Sequence, residues 1–326
     1  MMLLSKSAPS RSVEFDFACR GHEKTIASAK FSNDGSRVAS VSGDKTCRIW
    51  STKTGILAQI LVGHSGGLCD FTWSSDDKII ATASDDTFLM LWDSLTGKCI
   101  RLLAGHECSV TCCAFNLPSS NVLASGSSDE TLRLWDIKNG KCMLIIPAHA
   151  DPISSICFSA DGSIIITGSY DGSCRFWDKH SGACLKSLSV SEDKAIPISF
   201  LCCTPNPSYI LLGTLSDSIM LIDINSGRSV KKYRSHMNRE FCLPSSYVKI
   251  KEAELIVCGS ENGHLYLWDS NSQQLLCSIP VKRIHEESSN LAVAVNISRN
   301  RNSIVSFFLK NDIDHELKLW RFSERK

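Results

Sequence analysis

Histidine, a hydroxyl residue and aspartate recur along this chain at spacings that could support nucleophile–base–acid chemistry. The sets are His22, Ser40 and Asp44; His64, Thr82 and Asp86; His106, Ser125 and Asp129; and His149, Thr167 and Asp171. An imidazole held between a hydroxyl and a carboxylate is the hydrolase arrangement, in which the base takes the hydroxyl proton and the acid fixes the tautomer. A catalytic triad is needed once, however, and this set occurs four times at matched positions. No strand–Gly-x-Ser-x-Gly–helix segment accompanies any of them. A tryptophan follows each set, at Trp50, Trp92, Trp135 and Trp177. A buried indole N–H needs an acceptor, and a hydroxyl supplies one. The hydroxyl can donate to the imidazole and the imidazole to the carboxylate. Such a chain stabilises only when every member is satisfied, so the tetrads are read as structural.

The elements that must position these residues follow from the same spacing. Gly21-His22, Gly63-His64 and Gly105-His106 lie 42 residues apart, and Ala148-His149 follows 43 later. The tryptophans are spaced 42, 43 and 42, and three of them read Trp-Asp: Trp92-Asp93, Trp135-Asp136 and Trp177-Asp178. Segments such as "IIATASDDTFLMLWD" and "VLASGSSDETLRLWD" alternate small, apolar and polar residues around a turn. No stretch sustains a 3.6-residue apolar period, so the chain is all-β.

A period of 42 or 43 residues carrying Gly-His and Trp-Asp dipeptides resembles the WD40-repeat family. The resemblance covers residues 13–322 and implies a β-propeller. Three further repeats are degraded. Ile222-Asp223 closes the fifth, His236 and Trp268-Asp269 mark the sixth, and Trp320 marks the seventh. The expectation is a seven-bladed WD40 β-propeller over residues 13–326, preceded by a disordered tail at residues 1–12. In the fifth repeat all four tetrad positions are lost together, with Leu212, Ser216 and Ile222 in place of hydroxyl, acid and indole. The sixth offers Cys258 and Asn262 beside His236 and Trp268, and the seventh offers Asp314, with His285 as its nearest imidazole. Little chain follows Trp320, so the last repeat is expected to lack an outermost strand. Residues 13–19 ("VEFDFAC") are expected to supply it and close the ring, which leaves only short protected sheet edges.

Composition bounds the function. The apolar fraction of 43% suffices for a core, and the net charge of +1 argues against a duplex-DNA or anionic-membrane binder. None of the sixteen cysteines forms a C-x-x-C pair, which excludes the usual zinc spacing and suits small buried side chains in a reducing compartment. The apolar stretch at the N-terminus is too short for a signal peptide or a membrane span. The protein is expected to be nuclear, with a cytoplasmic population also compatible. No cofactor and no metal is expected.

Repeat symmetry places candidate binding residues in rings at the mouth of the central channel. The position five after each histidine gives Ala27, Cys69, Thr111 and Ser154, with Ser199 and Phe241 nearby in later repeats. The position before each turn aspartate gives Gly43, Asp85, Ser128 and Tyr170. A narrow mouth with one acid could accept a basic side chain; solvent-lined turns without a ligand are the other reading.

The segments "WSSDDKIIATASDD", "PAHADPISSICFSADGSIIITGSYDG" and "TPNPSYILLGTL" resemble the WD-repeat scaffold subunits of histone H3 lysine methyltransferase complexes, the MLL/SET/COMPASS class. The resemblance implies an arginine-binding channel mouth, matched here by Asp85, Ser154, Tyr170, Ser199 and Cys242. Phe241 stands where that family has tyrosine and Cys69 where it has serine. Thr111 and Ser128 replace the two phenylalanines that would sandwich a guanidinium, and Pro244 replaces another. The resemblance also implies a side groove for an acidic-apolar segment of a second subunit. Asn206, Tyr209, Leu221 and Lys231 match it, with Tyr247 in place of phenylalanine and Asn271 in place of glutamine. The implied function is a non-catalytic scaffold, a monomer within a larger complex, that holds methyltransferase-complex subunits and the histone H3 tail and makes no direct nucleic-acid contact. The alternative is a WD40 adaptor in another complex, such as a ubiquitin-ligase substrate receptor. Those propellers often carry Trp-Asp-x-Arg, whereas the fourth residue here is Leu95, Lys138, His180 or Asn271.

Overall fold

The computed structural model describes residues 11–117, 119–191, 195–250, 253–281, 293–297, 303–308 and 315–324. Every described regular element is a β-strand, and every sheet has four strands. Six sheets are built from four consecutive antiparallel strands each, spanning residues 26–62, 68–103, 110–147, 153–189, 198–233 and 245–280. The remaining sheet is a composite: Arg11–Cys19 pairs with Leu317–Glu324, which pairs with Ser303–Phe308 and through it with Val293–Ile297. The first strand of each consecutive-strand sheet lies against that of the next. Val293–Ile297 lies against both Ile26–Phe31 and Ser245–Ile250, which closes the ring.

The expected count of seven blades is therefore corrected to six blades of consecutive strands plus this two-ended sheet. The reason is local. The strand that carries Trp320 takes the N-terminal segment as its outer neighbour, as expected of residues 13–19, so this sheet is not a run of four consecutive strands like the other six. Phe15 meets the edge of the Trp320 ring there, with centroids 5.5 Å apart. The paired strand begins at Arg11. Residues 1–10 of the expected tail, and the expected Asp314 and His285, lie outside the described residues.

Each blade's core follows from its strand pattern. The second and third strands are buried on both faces, as in Arg37–Ser42 and Thr131–Asp136, because neighbouring blades cover them. The fourth strands alternate between exposed and covered residues, as in Lys141–Pro147. Where an aspartate follows the tryptophan it caps the next turn: Asp93 Oδ1 accepts the Leu95 and Thr96 N–H groups at 3.0 and 2.7 Å. Asp223 does the same for Asn225 and Ser226 although its tryptophan is Ile222. The turn then needs a left-handed residue. Gly97 takes it at φ 71°, and in the sixth blade Gln273 is forced into it at φ 62°. Blades are also tied side to side. Lys30 Nζ of the first donates to Asp70 Oδ1 of the second at 2.6 Å, and Trp73 Nε1 donates to the Lys30 carbonyl at 3.2 Å.

Candidate functional site

The tetrads assemble in all four early blades. Trp50, Trp92, Trp135 and Trp177 donate from Nε1 to Ser40, Thr82, Ser125 and Thr167 at 3.1, 2.9, 2.8 and 2.9 Å. Those hydroxyls lie 2.8, 2.8, 2.8 and 2.7 Å from Nε2 of His22, His64, His106 and His149. Each Nδ1 lies 2.7 to 2.9 Å from the carboxylate of Asp44, Asp86, Asp129 or Asp171. A carboxylate only accepts, so Nδ1 carries the proton and Nε2 accepts from the hydroxyl. The geometry thus repeats that of a hydrolytic triad, but all four hydroxyls are 0% exposed and already accept an indole proton. No substrate carbonyl can reach them.

Burial holds His64, His106 and His149 below the usual imidazole range against the opposing pull of their aspartates, so they are neutral at pH 7. The carboxylates move down as well. Burial pushes Asp129 up, but hydrogen bonds from Thr131, the Glu107 N–H and His106 outweigh it and bring it to about 2.

The sixth blade solves the same problem differently. Cys258 Sγ bonds to the Gly259 carbonyl, and Trp268 Nε1 donates to the Arg234 carbonyl at 3.0 Å. His236 is 3% exposed, and neither of its ring nitrogens has a partner; it stands edge-on to Trp268 with centroids 5.6 Å apart. Burial carries its pKa down to about 4. The acid's other task, holding the backbone after the histidine, passes to Glu261, whose Oε1 accepts the N–H groups of Arg239, Glu240 and Phe241 at 2.8, 2.7 and 3.0 Å. The sequence reading missed Glu261. The signal was a carboxylate one residue before the expected position, with one more methylene to cover the difference.

This contrast makes a prediction with opposite outcomes. His106→Phe takes a donor from Asp129 and an acceptor from Ser125, and should cost ~2–4 kcal/mol. His236→Phe removes a buried imidazole that bonds nothing, and should be neutral or stabilise by up to ~1 kcal/mol. Denaturant midpoints measure both; equal losses would contradict the network account.

At the channel mouth, Asp85 is exposed, and its Oδ1 accepts from Ser109 Oγ at 2.6 Å and Cys69 Sγ at 3.2 Å. Tyr170 is 37% exposed, and its hydroxyl lies 3.1 Å from Cys242 Sγ. Ser154 Oγ donates to the Gly168 and Ile198 carbonyls at 3.1 and 2.6 Å. Thr111 Oγ1 bonds the equivalent carbonyls, Gly126 and Ile153, and so acts as an inter-blade tie. Ser128 N–H donates to the Ser109 carbonyl. Ser199 is 2% exposed and meets Asn238 Nδ2 at 3.2 Å, which withdraws it from the open mouth. Phe241 is half-buried against the cluster of Cys19, Ile26, Leu243 and Leu317. The open part of the mouth is thus Asp85 with Ser109, Cys69, and the Tyr170–Cys242 pair.

On the other flank, Tyr209, Leu221 and Tyr247 share one cluster with Tyr233, Tyr266 and Trp268. Lys231 Nζ donates to the Ser270 carbonyl at 2.8 Å and lies 3.5 Å from Asn271 Oδ1. Asn206 shapes the turn before Tyr209, accepting the Ser208 N–H on its side chain and the Tyr209 N–H on its carbonyl. Burial and the Glu254 side chain push Tyr247 up to about 12. Leu221 is 7% exposed, so its contribution is mainly to packing. Among the described residues no group of three or more His, Cys, Asp or Glu side chains could hold a metal ion.

A ring of four-stranded sheets carrying repeated Trp–hydroxyl–His–Asp networks defines a WD-repeat β-propeller, a fold that generally serves as a non-enzymatic protein-interaction scaffold. The WDR5 beta-propeller domain family matches residues 18–321, and the chain belongs to that family. It is also 36% identical, over 75 residues, to an uncharacterized WD repeat-containing protein of Schizosaccharomyces pombe. That match covers 23% of this chain and 24% of the relative, so it spans about a quarter of the relative's length.

Proposed function

We propose that this propeller is a non-catalytic scaffold subunit of a nuclear histone H3 lysine methyltransferase complex, holding an arginine-bearing peptide at the channel mouth and an acidic-apolar partner segment in the side groove. The observation that carries the reading is the exposed Asp85 carboxylate, oriented by Ser109, together with the exposed Tyr170 of the fourth blade, on a chain of the WDR5 beta-propeller domain family. A carboxylate fixed by a hydroxyl donor keeps acceptor capacity for a guanidinium. The groove side chains supply an aromatic-aliphatic floor with a lysine at its edge, which suits an acidic-apolar segment.

Thr111 and Ser128 stand where aromatic rings would flank the guanidinium. At ~0.5–2 kcal/mol per cation–aromatic contact, their absence should weaken arginine binding by roughly 5- to 1000-fold relative to a pocket that has both. The test is titration of a fluorescent arginine-bearing peptide, patterned on a methyltransferase segment, with an arginine-to-alanine peptide as control. Saturable binding that needs the arginine and is lost in Asp85→Asn supports the mouth as the site. Equal binding of both peptides, or none, removes the arginine function from this mouth.

A further inference from the structure

We propose that Cys157 and Cys203 form an oxidisable dithiol, converted by a hydroperoxide to a disulfide that staples the fourth blade to the fifth. Their Sγ atoms are 3.3 Å apart, although the residues belong to different sheets. The strands that carry them, Ile153–Phe158 and Ile198–Cys203, are the channel-side strands of adjacent blades. Two bonds hold these strands in register: Ser154 Oγ donates to the Ile198 carbonyl at 2.6 Å, and the Leu201 N–H donates to Ser155 Oγ at 3.0 Å. Two residues beyond that second bond on each strand, the thiols face each other. Cys203 Sγ is further placed 2.9 Å from the Phe158 carbonyl. A disulfide needs sulfurs about 2.05 Å apart, so the pair lacks little more than 1 Å of approach.

Access separates this pair from the other inner thiols. Cys47, Cys174 and Cys258 are 0% exposed, whereas Cys157 and Cys203 are half-buried. Both line a cavity of about 690 Å³ at the opposite end of the channel from Asp85, together with Cys113, Phe115, Ile156 and Cys202. A small hydroperoxide fits in such a space.

The chemistry balances in two steps. One thiol sulfur attacks the peroxide, the O–O bond breaks, and a sulfenic acid and one water (or an alcohol) result. The second sulfur then attacks the sulfenic sulfur and expels hydroxide, which leaves as water with the thiol proton. Two S–H bonds are lost, one S–S bond forms, and two electrons pass to the peroxide. The neighbouring Cys203 and burial hold the Cys157 thiol well above the ordinary thiol range, so it stays protonated at neutral pH. The reaction is therefore slow, and the pair answers sustained oxidant exposure rather than brief pulses.

The experiment treats the purified full chain with hydrogen peroxide, blocks remaining thiols with iodoacetamide, and maps peptides by mass spectrometry without reduction. The expected result is a cross-linked peptide joining Cys157 to Cys203, lighter than its two parts by two hydrogens and cleaved by dithiothreitol. The link should vanish in Cys157→Ser and in Cys203→Ser. The wild-type map alone decides the matter if either variant folds poorly. Cross-links confined to the exposed Cys99, Cys108 and Cys184, or sulfinic acid at Cys157 or Cys203 with no link between them, would overturn the proposal.

Discussion

A protein lacking residues 1–20 should melt roughly 6 °C or more below the full chain, whereas one lacking residues 1–10 should melt within about 2 °C of it. The shorter deletion stops before the strand Arg11–Cys19. The longer one removes the whole outer strand of the composite sheet, and with it the partners of Leu317–Glu324. Cys19 is 2% exposed, and Phe17 packs on the same cluster, which also holds Trp50, Leu317 and Leu319. Fully burying an apolar side chain contributes ~1.5–3 kcal/mol. Losing Phe17 and Cys19, with the strand's hydrogen bonds, should thus cost ~4 kcal/mol or more. Arg20 goes too, and with it the ion pair to Glu316, a carboxylate 2% exposed. Thermal melts of the two truncations decide it. Equal melting temperatures would mean that the N-terminal strand decorates the ring without closing it.

The second large effect is acid sensitivity. His64, His106, His149 and His236 all have pKa values lowered in the folded state, mainly by burial. Their unfolded values are the ordinary ~6.5. Below that pH the unfolded chain takes up protons that the folded protein refuses, so stability falls as pH falls. The contribution is complete above ~6.5 and drains away below it, for His236 until about 4. Asp217 and Glu261 face His236 and oppose the shift but do not cancel it. At ~1.4 kcal/mol per unit, His236 alone removes ~3 kcal/mol across that window, and the three tetrad histidines add to it. The tetrad aspartates act in a lower window: their lowered values give stability that is present above ~3.8 and lost toward 2, as for Asp129. Melting temperature should be flat above pH 7 and fall steadily from 6.5 to 4. His236→Phe should flatten part of that fall without changing the behaviour above pH 7. A melting temperature constant between pH 7.5 and 5 would show that these imidazoles are not held neutral.

Much of the architecture could be read from the sequence because repetition turns single residues into measured positions. The pairing of Trp135 with Ser125, and of His106 with Asp129, could be written down from spacing and the need to satisfy a buried indole. Repetition fails where blades depart from it. Counting tryptophans made the sheet of Trp320 a seventh blade like the rest, although the missing outer strand, which pairs from 298 residues or more upstream, could be read from the unassigned segment before the first Gly-His. In the sixth blade the acid had moved from the turn position to Glu261, which no spacing rule marks. At the mouth, periodicity placed Ser199 and Thr111 in one ring without saying whether their hydroxyls were available. Ser199 is buried beside Asn238, and Thr111 is spent on two carbonyls. Which hydroxyls remain for a ligand depends on neighbouring blades, and that is information about packing.

The two-ended sheet also sets an order of events during synthesis. Arg11–Cys19 leaves the ribosome before the other described strands, yet its partner Leu317–Glu324 follows all of them. At ~5–20 residues per second, some 300 residues take about 15 to 60 s to appear. For that time the nascent chain carries an unmated strand with Phe15 and Phe17 on it, while each consecutive-strand blade can close as soon as its fourth strand emerges. A chaperone that shields the one short apolar strand made ahead of the blades would therefore govern the yield of finished rings more than one that acts on the blades.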